Sequence, residues 1–203
     1  MIAIIDYDVG NIKSVCNALD KIGLPWTLTR DPETIKASKG IILPGVGAFE
    51  DAMQSLIDHQ LVSLLQEEIR REKPFLGICL GMQLLYERSF ENGEFEGLGV
   101  LKGEVVPFRT KLKVPHMGWN ALALNDGHRD HPILKHTKNE DYVYFVHSYY
   151  VQGLAEETIA YCTYDQRFSA LVDRGNLLGM QFHPEKSGDA GLQLLKSFKE
   201  MIQ

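Results

Sequence analysis

The chain opens with a short unbroken apolar run, Ile2–Ile5, that stops at Asp6. Such a run, with no polar alternation, predicts a strand buried on both faces of a parallel sheet. A polar turn over residues 6–11 follows. Ile12, Val15, Cys16, Leu19 and Ile22 then recur at helical spacing until Gly23 closes the segment. The unit repeats. Residues 26–29 and 40–43 read as strands. Met53, Leu56, Ile57, Leu61, Leu64, Leu65 and Ile69 mark one long amphipathic helix. Phe75–Ile78 reads as another buried strand and residues 80–86 as helix. Alternating strands and helices predict an α/β fold, with a mostly parallel central sheet flanked by helices.

The second half changes character. Segments 99–108, 121–124, 142–151, 158–164 and 168–173 read as strands, with few helices between them. Leu192, Leu195, Phe198 and Ile202 then mark a terminal helix. This predicts an additional, partly antiparallel β section laid onto the parallel sheet. Residues 125–141 are polar and read as loop.

Composition narrows the class. The 203 residues suit one domain over 1–203, large enough to bury a core without staples. The net charge is −6, and the only adjacent arginines are Arg70 and Arg71. A nucleic-acid binder is expected to show a basic face, so no nucleic-acid partner is predicted. No apolar run approaches the ~20 residues of a membrane helix. The start lacks the basic and apolar regions of a signal peptide. Three cysteines, Cys16, Cys79 and Cys162, are too sparse for a disulfide framework and suit a reducing compartment. The expected location is cytoplasmic, with no membrane contact.

One cysteine stands apart. Gly77-Ile78-Cys79-Leu80-Gly81 places a thiol between a buried strand and a helix, the cysteine form of a nucleophile elbow. A turn this sharp needs glycines where neighbouring chains approach. The helix N-terminus favours a thiolate, and the Leu80 N–H can face an oxyanion on the substrate. Cys16, on a helix's apolar face, and Cys162, in a strand-like run, read as small buried hydrophobes.

A thiol nucleophile needs a base. His183, in Gln181-Phe182-His183-Pro184-Glu185, sits at the end of an apolar strand. Pro184 stiffens the following backbone. Glu185 can accept from one ring nitrogen and leave the other facing the thiol, which is the logic of a nucleophile–base–orienter triad. His128, His131 and His136 match no common zinc spacing and have no nearby cysteine, so they read as loop and no metal is predicted. Leu43-Pro44-Gly45-Val46-Gly47 ends a strand in a glycine-rich turn, whose N–H groups can supply a second oxyanion donor.

Together, Pro44-Gly45-Val46-Gly47, the Gly77–Gln83 segment and the Gln181–Glu185 segment, in that order, resemble the class I (triad-type) glutamine amidotransferases over essentially the whole chain. Residues 6–11, 44–49, Pro115-His116-Met117-Gly118-Trp119-Asn120 and 145–150 are similar to those members that act as the glutaminase subunit of imidazole glycerol phosphate synthase. The resemblance implies a flavodoxin-like fold and the catalytic residues Cys79, His183 and Glu185. It implies an oxyanion hole from Val46, Gly47 and Leu80, and glutamine binding by Gln83, Ser148 and Tyr149. No cofactor is implied. The implied partner is a (β/α)8-barrel cyclase subunit forming a heterodimer, met by Asn11, Met117, Trp119 and Lys186. A barrel needs ~250 residues, more than this chain offers. The alternatives are a glutaminase feeding another ammonia-dependent synthase, a cysteine peptidase or chaperone of similar architecture, and a non-catalytic regulatory module. In the peptidases and chaperones, His commonly follows the nucleophile directly; here Leu80 does. An intact triad opposes the regulatory module.

Overall fold

The computed structural model describes residues 1–202. Its centre is an eight-stranded sheet. In chain order its strands are β1 (Ile2–Ile5), β2 (Trp26–Thr29), β3 (Ile41–Leu43), β4 (Phe75–Ile78), β9 (Ala123–Leu124), β12 (Thr158–Tyr164), β13 (Gln166–Arg174) and β14 (Leu177–Met180). The spatial order is β2-β1-β3-β4-β14-β13-β12-β9. The first five of these strands are parallel, and the last three continue the sheet antiparallel. Part of the predicted β section is therefore an extension of the parallel sheet itself.

The period of two along each strand divides the core. Ile2 and Ile4 pack with Val15 and Leu19 of α1 (Ile12–Lys21) and with Leu194, Leu195 and Phe198 of α6 (Gly188–Met201). Ala3 and Ile5 face the opposite layer, with Ile35 of α2 (Pro32–Ala37), Phe49, Met53 and Leu56 of α3 (Phe49–Asp58), and Leu65 of α4 (Val62–Arg70). All four residues of β1 and of β4 are buried, as the unbroken apolar runs require.

Two smaller sheets hold the rest. One pairs β8 (His116–Ala121) with β10 (Tyr142–His147). The other orders β11 (Tyr149–Gly153), β7 (Leu101–Pro107), β5 (Tyr86–Ser89) and β6 (Phe95–Glu96).

Four predicted elements differ, one of them the 121–124 strand, which breaks at Leu122 so that Ala121 ends β8 and Ala123–Leu124 forms β9 in another sheet. The long helix over 53–69 is two helices, because Gln60 takes φ +57° and Leu61 turns into the core. The helix after Cys79 is one turn, α5 (Leu80–Gln83), and the chain passes to strand β5 at Tyr86. The strand over 142–151 breaks at Ser148, so that β10 and β11 join different sheets. Helix α2, strand β6 and most of β8 were not predicted. Residues 125–141 form loop with two short 3-10 turns. Two of their three histidines have carboxylate partners: His131 Nε2 meets Asp173 at 3.2 Å and His136 Nε2 meets Glu200 at 3.1 Å.

Candidate active site

Cys79 and His183 are distant in sequence, but their strands are neighbours. Gly77 and Ile78 of β4 register with Gly179 and Met180 of β14. The chain leaves both strands at the same edge, and the Cys79 N–H donates to the Met180 carbonyl at 2.7 Å. Ligands of open α/β sheets sit beyond such carboxyl ends.

Cys79 itself holds φ +54° and ψ −111°, a strained conformation for a residue with a side chain. Its glycines are sterically required. A Cβ on Gly81 would lie 1.9 Å from the Leu43 carbonyl oxygen, and one on Gly77 would lie 2.7 Å from that of Gly81.

His183 is held by its backbone and its ring. Its N–H donates to the Tyr144 carbonyl at 2.9 Å, and its carbonyl accepts from the Ser187 hydroxyl at 2.6 Å. Nδ1 lies 2.8 Å from Glu185 Oε1, and both side chains are 2% exposed. The opposite nitrogen, Nε2, is buried without another polar partner. Burial opposes a charged ring, but the neighbouring Cys79 and Glu185 outweigh it and lift His183 from 6.5 to about 9. That shift favours the imidazolium form of the ring on the side that faces Cys79.

A cavity of ≈ 280 Å³ opens on this pair, lined by Cys79, His183, Val46, Gly47, Leu80, Gln83, Ser148 and Tyr149 among others. Among the described residues neither Val46 nor Gly47 makes a backbone hydrogen bond. The Leu80 N–H opens α5 and has no acceptor within that helix. Donors of this kind are free for a negative oxygen. The Gln83 amide donates to the Tyr149 carbonyl and to Gln181 Oε1, both at 3.0 Å.

In the cavity wall and behind Cys79 lie residues that sequence reasoning missed. Glu91 lines the cavity and accepts from the Phe49 N–H at 2.8 Å, capping α3. Gln181, fully buried, points its amide nitrogen at the Cys79 sulfur at 3.9 Å. His147 also lines it. Its Nδ1 donates to the Tyr149 carbonyl at 2.8 Å, and its Nε2 meets His116 Nδ1 at 3.0 Å. Burial pushes His116 down to about 4 and His147 down to about 3, so both rings are neutral. Gln181 and His147 lay inside quoted motifs, and that placement was the one available signal; Glu91 carried none.

The structure does not bring Asn11, Met117, Trp119 and Lys186 into the cavity. Asn11 is exposed at the start of α1. Met117 and Trp119 lie on β8, 61% and 55% exposed, with Trp119 edge-on to Tyr144. Lys186 ends the 3-10 turn that follows His183. Trp119 is thus a surface residue and not part of the core.

Comparison with known proteins agrees with this geometry. The profile of the "Glutamine amidotransferase class-I" family matches residues 3–201. The "Imidazole glycerol phosphate synthase subunit HisH" of Oceanobacillus iheyensis is 52% identical, with 100% of both chains covered. The protein of the same name from Bacillus subtilis is 45% identical, covering 99% of this chain and 96% of its own. Among solved structures, one described as "glutamine amidotransferase" superposes with a TM-score of 0.78 at 19% identity, covering 100% of this chain and 99% of its own. The Thermotoga maritima PurLQS structure superposes at 0.76, also at 19% identity, with 100% and 98% covered; these two speak for the fold alone. The chain therefore belongs to the class I glutamine amidotransferase family, in the branch that contains the HisH subunits of imidazole glycerol phosphate synthase.

Proposed function

We propose that this chain, as a single glutaminase domain over 1–203, is the glutaminase subunit of an imidazole glycerol phosphate synthase in histidine biosynthesis. The observation that carries the reading is the placement of Cys79 and the His183–Glu185 pair at adjoining strand ends, on a cavity with unengaged N–H donors.

The reaction follows from that placement. The Cys79 thiolate attacks the side-chain amide carbon of glutamine. The carbonyl oxygen takes the negative charge and is held by the N–H groups of Leu80 and of the Val46-Gly47 turn. His183 passes its proton to the amide nitrogen, the C–N bond breaks, and neutral ammonia leaves a glutamyl thioester. Water then gives a proton to His183 and attacks the thioester, releasing glutamate and regenerating the thiolate. Glu185 keeps the ring oriented and stabilises its charge. Gln83, Ser148 and Tyr149 hold the substrate, and the Glu91 carboxylate suits its α-ammonium.

Ammonia passes to a (β/α)8-barrel cyclase subunit in a cytoplasmic heterodimer, which forms imidazole glycerol phosphate and an aminoimidazole carboxamide ribonucleotide. Asn11, Met117, Trp119 and Lys186 meet that partner. Exposed Met and Trp side chains suit a buried interface. Glutamate production by the chain, alone and with a cyclase subunit and its nucleotide ligand, tests the reading. Stimulation by partner and ligand is expected. No hydrolysis under either condition would reject the pairing.

A further inference from the structure

The oxyanion turn is anchored at its two ends and free between them. Val46 and Gly47 make no backbone hydrogen bonds among the described residues, and a Cβ on Gly47 would meet nothing within 4 Å. Downstream, the Phe49 N–H donates to Glu91. Upstream, the Tyr7 phenol donates to the Pro44 carbonyl at 2.6 Å. Tyr7 is fully buried. A Cβ on Gly45 would lie 2.9 Å from the Tyr7 oxygen and 2.8 Å from the Gly81 nitrogen. The peptide leaving β3 is thus wedged between the Tyr7 hydroxyl and the start of α5.

Tyr7 is itself fixed from outside. Asp8, at φ +64°, takes Arg30 Nη2 and His59 Nε2, each at 2.7 Å, and Arg30 also holds Asp6 at 2.9 Å. The Ser55 hydroxyl of α3 donates to the Tyr7 carbonyl.

We infer that Tyr7 is a positioning residue for the glutaminase reaction: its hydrogen bond to the Pro44 carbonyl sets how the Val46-Gly47 N–H groups face the oxyanion. The inference rests on the oxyanion role proposed above for that turn. Burial and then the neighbouring Cys79 raise the phenol well above its ordinary value, so it remains a donor throughout the working pH range. A bond that matters only when the carbonyl oxygen carries charge acts on the transition state and leaves substrate binding unchanged.

Tyr7→Phe removes the hydroxyl and keeps the ring. In the full chain with a cyclase subunit, kcat for glutamine should fall roughly tenfold, short of the ~10²–10³ lost with an oxyanion donor itself. KM should stay within about twofold. Alkylation of Cys79 by iodoacetamide, which builds no oxyanion, should proceed at the wild-type rate. Unchanged kcat would overturn the inference, and so would a parallel drop in alkylation, which would place the effect on the thiol or on packing. If Tyr7→Phe does not fold, Ser55→Ala decides: it should lower kcat by a smaller factor at constant KM, and unchanged kcat would overturn the inference. Absence of glutamine turnover in the wild-type complex would instead sink the glutaminase reading, and this inference with it.

Discussion

Adding one methyl group at Gly81 should disable the site while leaving every catalytic side chain in place. The new Cβ would lie 1.9 Å from the Leu43 carbonyl oxygen, where contacts below 3.0 Å are essentially never seen. The separation must grow by 1.1 Å, the difference between those values. Both sides of the clash are backbone. Leu43 ends β3, in register with Gly77, and leads into the oxyanion turn; Gly81 lies in the helix that starts after Cys79. The displacement therefore separates Val46 and Gly47 from Leu80. A misplacement of about 1 Å can cost ~10²-fold in rate, and overpacking costs about 1–3 kcal/mol of stability. Gly81→Ala should thus lower kcat by about two orders of magnitude and the melting temperature by about 2–12 °C. Steady-state glutaminase kinetics and thermal unfolding read both. Wild-type kcat with a wild-type melting point would refute the steric reasoning.

Other outcomes follow from the charges. His183 is lifted to about 9, so the proton it gives to the leaving amide nitrogen is lost above that pH, and kcat should fall on the alkaline side near pH 9; a rate still rising at pH 10 would contradict this. Because the folded value lies above 6.5, the same group stabilises the fold fully below pH 6.5 and loses that contribution as pH rises through 9; in Cys79→Ala, thermal melting should show a smaller loss over that window. His116 and His147 lie below 6.5, so their contribution is present above pH 6.5 and lost on acidification, at about 1.4 kcal/mol per pH unit for each ring. Urea titrations at pH 7 and 5 should show this, and the His116→Gln/His147→Gln double variant should flatten it. Glu68 is 1% exposed and lies 2.5 Å from Lys73, with Arg71 at 3.3 Å. Lys73→Met should cost about 2–3 kcal/mol in denaturant titration, below the ~3–5 kcal/mol of a fully orphaned buried charge because Arg71 remains.

What could be read in advance depended on how local its cause was. Strands β1 and β4 were legible because burial on both faces leaves a continuous apolar run. The nucleophile turn was legible because steric closeness demands glycines at fixed offsets. The split of the 53–69 helix was not, because Leu61 is apolar on either reading and only the left-handed Gln60 separates α3 from α4. Helix α2 has one buried residue, Ile35, too little for a periodic signal, although Asp31 caps it and Pro32 opens it. The break at Ser148 follows from strands joining different sheets, a tertiary choice without a local signature. The roles of Tyr7, Glu91 and Gln181 were not legible for the same reason, although Tyr7 and Gln181 lie inside motifs. Each acts through a partner far along the chain, Pro44, Phe49 and Cys79 respectively, and a single polar residue in a motif does not reveal its partner.

The central claim is that Cys79 carries the glutamyl group. The most direct test is peptide mass spectrometry on an acid-quenched reaction of the full chain with glutamine and a cyclase subunit. A glutamyl thioester confined to the Cys79 peptide, absent from Cys16 and Cys162 and lost in Cys79→Ala, is the predicted result. Glutamate formed at an undiminished rate by Cys79→Ala, or an adduct on either other cysteine, would contradict the account.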